Sequence, residues 1–185
     1  MSADPVRPGA DPVGPPETGS APVRIERMRP GHWPAVRTLY EAGIATGNAT
    51  LEQSAPDWET WDADHRPDCR FVAVDREHVL GWVALAPVSG RRVYEGVAWI
   101  SVYVSPEAQG SGIGRALLLA AIEASETAGI WTLQAGILAE NAASLAVHRR
   151  VGFRRVGVQH RLGRDSHGRW RDRVLLERRS STVGA

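Results

Sequence analysis

A glycine-rich turn in the second half of the chain has the composition of an anion-binding site. An apolar, strand-like run at 97–104 precedes it, and a helix-like run at 115–126 follows it. A turn that opens a helix offers free backbone N–H groups and the positive end of the helix dipole, which together bind phosphate. We therefore expect a phosphate-bearing ligand here; from the glycines alone, a tight turn without a ligand is the alternative. The turn consists of Gln109, Gly110, Ser111, Gly112, Ile113 and Gly114.

The spacing of this turn argues against two common nucleotide loops. A P-loop requires G-x-x-x-x-G-K-[ST], but this chain contains no lysine, because all 22 of its Lys and Arg residues are arginine. A dinucleotide fingerprint requires G-x-G-x-x-G near the start of a βαβ unit, whereas the run from Gly110 to Arg115 lies past mid-chain with a different spacing. The anion site therefore belongs to another class.

Length and charge narrow the function further. The 185 residues suit one domain, and a net charge of +1 gives no global field for nucleic acid or a membrane surface. No apolar run is long enough to span a bilayer, and the N-terminus lacks the apolar core of a signal peptide. Cys69 is the single cysteine, so no disulfide framework is expected, and the cytoplasm is the default location. No set of side chains has metal-ligand spacing, so we predict no metal.

Hydrophobic periodicity predicts one α+β domain at 23–179 with the element order β-α-α-β-β-β-α-β-α-β-β. Residues 1–22 hold six of the twelve prolines and are predicted to be a disordered tail; residues 180–185 are predicted to be a flexible one. Asn141 is a candidate N-cap, with Gly152 as the stop of the same helix. The strands are predicted at 23–25, 71–74, 79–86, 97–104, 131–138, 153–157 and 170–177, with a further short strand within 44–55, and the helices at about 30–43, 58–64, 115–129 and 142–150.

Two motifs in this order resemble the Gcn5-related N-acetyltransferase superfamily. Gln109-x-x-Gly112-x-Gly114 matches its Q/R-x-x-G-x-G/A loop, which holds the pyrophosphate of acetyl-CoA. Downstream, the run from Asn141 to Gly152-Phe153 is similar to its second acyl-CoA motif. The resemblance implies a three-layer α/β/α fold whose mixed, mostly antiparallel sheet splays at the cofactor site.

A narrower likeness is to the phosphinothricin and arsinothricin N-acetyltransferase branch. It rests on residues 43–50, on 94–104, on 145–148 and on 168–172. Members of that branch acetylate the α-amine of a small amino acid or analogue, and so confer antibiotic or herbicide resistance. The resemblance thus implies direct transfer from acetyl-CoA in a ternary complex, by a homodimer.

The resemblance assigns the donor site residue by residue. Free amides of the central strand are expected to hold the pantetheine arm, and the amide of Val102 or Tyr103 to donate to the developing oxyanion. Asn141 is expected to serve both as a cap and as a cofactor contact. The implied cofactor-binding set is Val102, Tyr103, Val104, Gln109, Gly110, Ser111, Gly112, Ile113, Gly114, Arg115, Asn141 and His148.

The proton chemistry departs from the family pattern at Trp99. The branch carries a Glu there, which is thought to take the proton of the acceptor ammonium, whereas an indole N–H only donates. His148 lies where many members have a Tyr general acid, and it could donate or accept a proton. A relocated base (Glu52, Glu95 or His148), loss of the proton to water, and a weakly catalytic acyl-CoA-binding protein all remain open.

The acceptor pocket is expected to bind a carboxylate through Arg91 or Arg92, because a planar guanidinium suits that group. These arginines count against a polyamine or aminoglycoside acceptor, although another amine, including a protein N-terminus, remains the alternative. The expected substrate-binding set is Thr46, Asn48, Arg91, Arg92, Tyr94, Trp99 and Trp170.

Overall fold

The computed structural model describes residues 22–184, so the tail predicted at 1–22 lies outside the described residues except for Pro22. Seven strands form one sheet with the order β1-β2-β3-β4-β5-β7-β6. The β4–β5 pair is parallel, and the five other pairs are antiparallel. The strands are β1 (Arg24–Arg27), β2 (Arg70–Asp75), β3 (His78–Pro87), β4 (Val97–Val104), β5 (Thr132–Leu138), β6 (Arg154–Arg164) and β7 (Trp170–Arg179).

Helices cover both faces of this sheet. An aromatic cluster under α1 and α2 includes Trp33, Trp61 and Trp82. A larger aliphatic cluster lies on the other face, where Leu117 and Leu118 of α3 are completely buried. The three-layer α+β fold is therefore confirmed. The helices are α1 (Trp33–Ala45), α2 (Trp58–Asp64), α3 (Ile113–Thr127) and α4 (Ala142–Arg150).

The sheet opens between its two parallel strands. β4 pairs with β5 at three positions, of which Trp99 with Gln134 is the last. β4 nevertheless stays paired with β3 as far as Val104. The second half of β4 therefore has a neighbour on one edge only, and the expected splay is present.

Two predictions of local structure were wrong. Residues 46–57 contain no strand and form a loop between α1 and α2. β6 continues to Arg164, whereas the predicted strand ends at Gly157. Register shifts absorb the extra residues of β6. The carboxylate of Asp172 accepts the N–H of Arg161, which has a positive φ of 50°, so a backbone group left out of the ladder is satisfied.

At the C-terminal end, Ser180 is buried and its hydroxyl donates to Glu126 at 3.0 Å. The flexible tail proposed from residue 180 onward stays a prediction, as does the domain boundary at 179. Within the described part of the chain, no helix is both long and apolar enough to cross a membrane.

Candidate active site

The glycine loop enters α3 without a side-chain cap. Gly112 is the N-cap residue, with φ of 90°, and no side chain accepts from the first turn. The first N–H of the turn with a helical acceptor belongs to Ala116, which donates to Gly112 at 3.0 Å. The amides of the three residues before Ala116 have no acceptor inside the helix. An added Cβ at Gly110 or Gly112 would meet nothing within 4 Å, so these donors face open space and fit an anion.

The free edge of β4 supplies further donors. Val88 donates to Val97 and Ser105 to Leu80, which fixes the alternation of the β3–β4 ladder. In this antiparallel ladder, the odd-numbered residues of β4 turn their N–H groups toward β3, and the even-numbered ones turn them away. The amides of Val102 and Val104 therefore point into the splay. The amide of Tyr103 points toward β3, so of the two amides predicted as the oxyanion donor only that of Val102 faces the splay.

A cavity of about 820 Å³ joins the glycine loop to the splay. It also reaches the end of α1 and the start of α4, and its volume is in the range of small-molecule sites. Twelve of the residues predicted from the sequence line it: Thr46, Asn48, Val102, Tyr103, Val104, Gln109, Gly110, Gly112, Gly114, Arg115, Asn141 and His148. Of the loop residues outside this lining, Ile113 is buried in the aliphatic core, and the Ser111 hydroxyl donates to Ala108.

The connection between β3 and β4 is separate from this cavity. Arg91, Arg92, Tyr94 and Glu95 are exposed on it, and none of the four lines the cavity. Arg91 lies over the Tyr94 ring at 5.5 Å, and Arg92 lies 3.9 Å from Glu95. The structure therefore brings neither the arginines expected to bind the carboxylate nor Glu95, one of the expected bases, into the cavity lining.

Asn141 links the donor side of the cavity to the loop after α1. Its Oδ1 accepts the N–H of Ser144 at 3.1 Å, which is the predicted cap of α4. Its Nδ2 donates to the carbonyl of Asn48 at 3.0 Å. On the other side of the loop, Arg171 donates to the carbonyl of Gly47 at 2.7 Å and pairs with Glu140 at 3.1 Å. The loop lining the cavity is thus held from both sides.

His148 is buried and neutral. Its Nδ1 lies 2.8 Å from the carbonyl oxygen of Ser144, an acceptor only, so Nδ1 carries the proton and Nε2 the lone pair. Nε2 is buried and has no hydrogen-bond partner among the described residues. Burial lowers the pKa of His148. The ring can therefore accept a hydrogen bond at neutral pH, which counts against the expected role of proton donor to the thiolate.

Glu52 acts electrostatically on two tyrosines beside the cavity. Tyr40 and Tyr103 lie edge to face with centroids 5.0 Å apart. Burial, followed by the charge of Glu52, raises the pKa of Tyr40. Burial also raises the pKa of Tyr103, and the charges of Tyr40 and Glu52 contribute. Glu52 does not line the cavity itself. Of the two carboxylates among the three proposed bases, it is the one whose charge acts on a residue of the cavity lining, Tyr103.

A model of the Acetyltransferase (GNAT) family matches residues 33–153. The chain belongs to this GNAT family. Among curated proteins, it is 31% identical to a phosphinothricin N-acetyltransferase of Alcaligenes faecalis, over 83% of this chain and 81% of the relative. It is 34% identical to an L-methionine sulfoximine/L-methionine sulfone acetyltransferase of Pseudomonas paraeruginosa, over 78% of this chain and 87% of that one.

A solved GNAT structure also superposes on the fold. It is a phosphinothricin acetyltransferase from Sinorhizobium meliloti in complex with AcCoA, 26% identical, with a TM-score of 0.78. The match covers 88% of this chain and 90% of the other. Membership of the family, predicted from two motifs, and of its phosphinothricin-like branch, predicted from four further segments, is confirmed.

Trp99 lies at the start of the splay in this GNAT chain. Its side chain is on the same face of the sheet as Ser101 and Tyr103, because side chains alternate along β4. The Arg173 guanidinium lies over its ring at 5.3 Å. Sequence reasoning missed Arg173, because the contact depends on the pairing of β7 with β5 and has no local signal.

Other residues at the cavity were also missed by the sequence reasoning. Gly136 and Arg150 both line it, as does Glu140. Trp170, predicted to bind substrate, lies in an adjoining cleft with Arg169 and is half exposed. Among residues 22–184, no cluster of three or more His, Cys, Asp or Glu side chains could hold a metal ion.

Proposed function

We propose that this protein transfers an acetyl group from acetyl-CoA to the α-amine of a small amino acid or amino-acid analogue. Phosphinothricin, arsinothricin and methionine derivatives represent the acceptor class. The relatives that carry such names match most of this chain. The observation that carries the proposal is the single cavity in which an uncapped glycine loop and the free edge of β4 meet.

On the donor side, backbone groups do the binding. The amides at the start of α3 would hold the pyrophosphate, and Arg115 on the cavity wall would add a charge-assisted contact. The amides of Val102 and Val104 would pair with the pantetheine arm. Such pairing fixes the thioester beside β4, where the Val102 N–H can polarise its carbonyl.

On the acceptor side, the ammonium must lose a proton before it attacks. Trp99 cannot accept that proton. We assign this step to Glu52, directly or through one water, because its carboxylate already acts on the Tyr40–Tyr103 pair. Direct transfer in a ternary complex then needs no covalent intermediate on the protein.

A thiol-release assay tests the proposal. Acetyl-CoA would be combined with L-phosphinothricin, L-methionine sulfone and common amino acids, and in parallel with spermidine, an aminoglycoside and a peptide with a free N-terminus. We expect turnover with the first group. Turnover restricted to the second group would place the protein among GNAT enzymes for another amine. Stabilisation by acetyl-CoA without any turnover would establish an acyl-CoA-binding protein.

We also propose a homodimer in the cytoplasm. β6 lies at one edge of the sheet, and Val156, Leu162 and Trp170 on β6 and β7 are large exposed apolar residues. An exposed edge strand with apolar side chains favours pairing with a second copy. Light scattering at micromolar concentration would give the mass of a dimer, and the mass of a monomer would contradict this part of the proposal.

A further inference from the structure

Arg173 is a partly buried cation with no carboxylate partner among residues 22–184. Five arginines among residues 22–184 are buried or partly buried, and four of them pair with a carboxylate. Arg173 is the fifth, and within this part of the chain no carboxylate lies within ion-pair distance of it. Its hydrogen-bond partner is Gln159, whose Oε1 accepts a hydrogen bond from Nε of Arg173 at 2.8 Å. The four paired arginines are Arg66, Arg70, Arg171 and Arg178.

A charge taken out of water is unfavourable unless an opposite charge compensates it. Burial lowers the pKa of the Arg173 guanidinium, which is the direction expected for an uncompensated cation. Arg171, two residues earlier on the same face, shows the contrast, because Glu140 raises its pKa. Arg173 therefore carries a partly desolvated positive charge that no carboxylate of the described residues compensates.

The position of this charge is set by a glycine at the splay. A Cβ at Gly136 would lie 2.7 Å from Cδ and 3.1 Å from Nε of Arg173. The Arg173 side chain thus crosses the space that any other residue at 136 would fill. Gly136 itself lines the cavity, where β5 has separated from β4.

Trp99 orients the same guanidinium. The guanidinium carbon is 5.3 Å from the centroid of the indole, and a planar cation on an aromatic face keeps its N–H edge free for a second ligand. Trp99 therefore has a use that differs from proton transfer. It forms a platform for Arg173 at the last paired position before the splay, next to the cavity lining but not part of it.

We propose that Arg173, supported on Trp99 and Gly136, binds the carboxylate of the acceptor amino acid. This inference rests on the proposed function, since it presumes an acceptor with a carboxylate beside its amine. It is an alternative to the clamp expected at Arg91 or Arg92: none of the three arginines lines the cavity, but Arg173 packs against Gly136, which does. A guanidinium and a carboxylate can form two parallel hydrogen bonds, which fixes the orientation of the α-amine.

The test compares an amino-acid acceptor with the amine that remains when its carboxylate is removed. L-Methionine sulfone and its decarboxylated amine would be assayed with the wild-type protein, Arg173→Gln, Arg173→Lys and the control Arg155→Gln on exposed β6. We expect Arg173→Gln to raise KM for the amino acid about 10- to 100-fold, with partial rescue by lysine. KM for the amine and for acetyl-CoA should stay the same, as should all values for Arg155→Gln.

The outcomes separate the two proposals. If the wild-type protein acetylates the amine as well as the amino acid, or neither, the proposed acceptor class fails, and the clamp fails with it. If the wild-type protein prefers the amino acid and Arg173→Gln keeps that preference, the acceptor class stands and the clamp is overturned. An equal loss with both acceptors would show a structural role for Arg173 and would also overturn the clamp.

Discussion

The donor side and the acceptor side of the site differ in which part of the chain is proposed to bind the ligand, the backbone or the side chains. On the donor side, the proposed contacts come from backbone N–H groups at the start of α3 and on the free edge of β4. On the acceptor side, the proposed roles belong to single side chains beside the cavity lining, namely Trp99, Arg173 and Glu52. A backbone site survives most substitutions, whereas a side-chain site changes with one residue. Under the two proposals, the fold fixes the donor, and a few positions decide the acceptor.

The largest effect is expected at the acceptor side from Glu52→Gln. Removing the carboxylate that takes the ammonium proton should lower kcat about 10²- to 10⁴-fold and leave KM for acetyl-CoA unchanged. Steady-state kinetics at saturating acetyl-CoA would measure this loss, with Glu59→Gln, at an exposed position of α2, as the control. A larger loss in Glu95→Gln would move the base to the β3–β4 connection.

The donor side is tested by Gly112→Ala. An alanine at φ of 90° is strained, so the loop should shift and KM for acetyl-CoA should rise about tenfold or more. Gly129→Ala is a matched control, because it strains the other end of α3 at φ of 76° without touching the cavity. Both variants should lose stability, but a similar rise in KM in both would mean that the loop is not a binding site.

Trp99→Glu restores the carboxylate of the family pattern and tests whether the acceptor side changes without the donor side. The new carboxylate would lie next to Arg173 and neutralise it, so KM for the amino acid should rise about tenfold while KM for acetyl-CoA stays constant. Trp99→Phe should behave like the wild type, since it keeps an aromatic face. A gain in activity from Trp99→Glu would instead show that the position accepts a base without harm to acceptor binding.

A smaller effect is expected from acid, on stability rather than on rate. His148 has a lowered pKa in the folded state, so the unfolded chain takes up a proton first as the pH falls below about 6.5. The free energy of unfolding should be fully present above that pH and decrease below it. Urea unfolding at pH 7.5 and 5.5 measures the difference in the free energy of unfolding between the two pH values. This difference should be smaller in His148→Leu. It should persist in His78→Gln, because His78 is exposed.

The same contrast explains what the sequence could predict. The glycine loop, the Asn141 cap and the bounds of β4 were predicted correctly, because each depends on neighbouring residues. Membership of the family followed from two such local motifs. Gln109 and Gly114, two of the residues that the motifs assign to the donor, line the cavity, and their binding of acetyl-CoA stays a prediction.

The acceptor side could not be predicted in this way. Arg91 and Arg92 precede β4 in the chain, which made them candidates, but neither lines the cavity. Arg173 reaches Trp99 only because β5 pairs with β4 on one edge and with β7 on the other. Its partners are 14, 37 and 74 residues away in the chain (Gln159, Gly136 and Trp99). Contacts of this range depend on strand register, which local patterns do not specify.

The exclusive use of arginine has a consequence for the protein as a catalyst. All 22 of its Lys and Arg residues are arginine, including those that pair with Glu126 and Glu140 in the fold. A lysine ε-amine is itself a nucleophile toward a thioester, whereas a guanidinium stays protonated and unreactive at neutral pH. A protein that holds an activated acetyl group therefore carries no side-chain amine that it could modify on itself or on a second copy. Its cationic contacts are immune to self-acetylation.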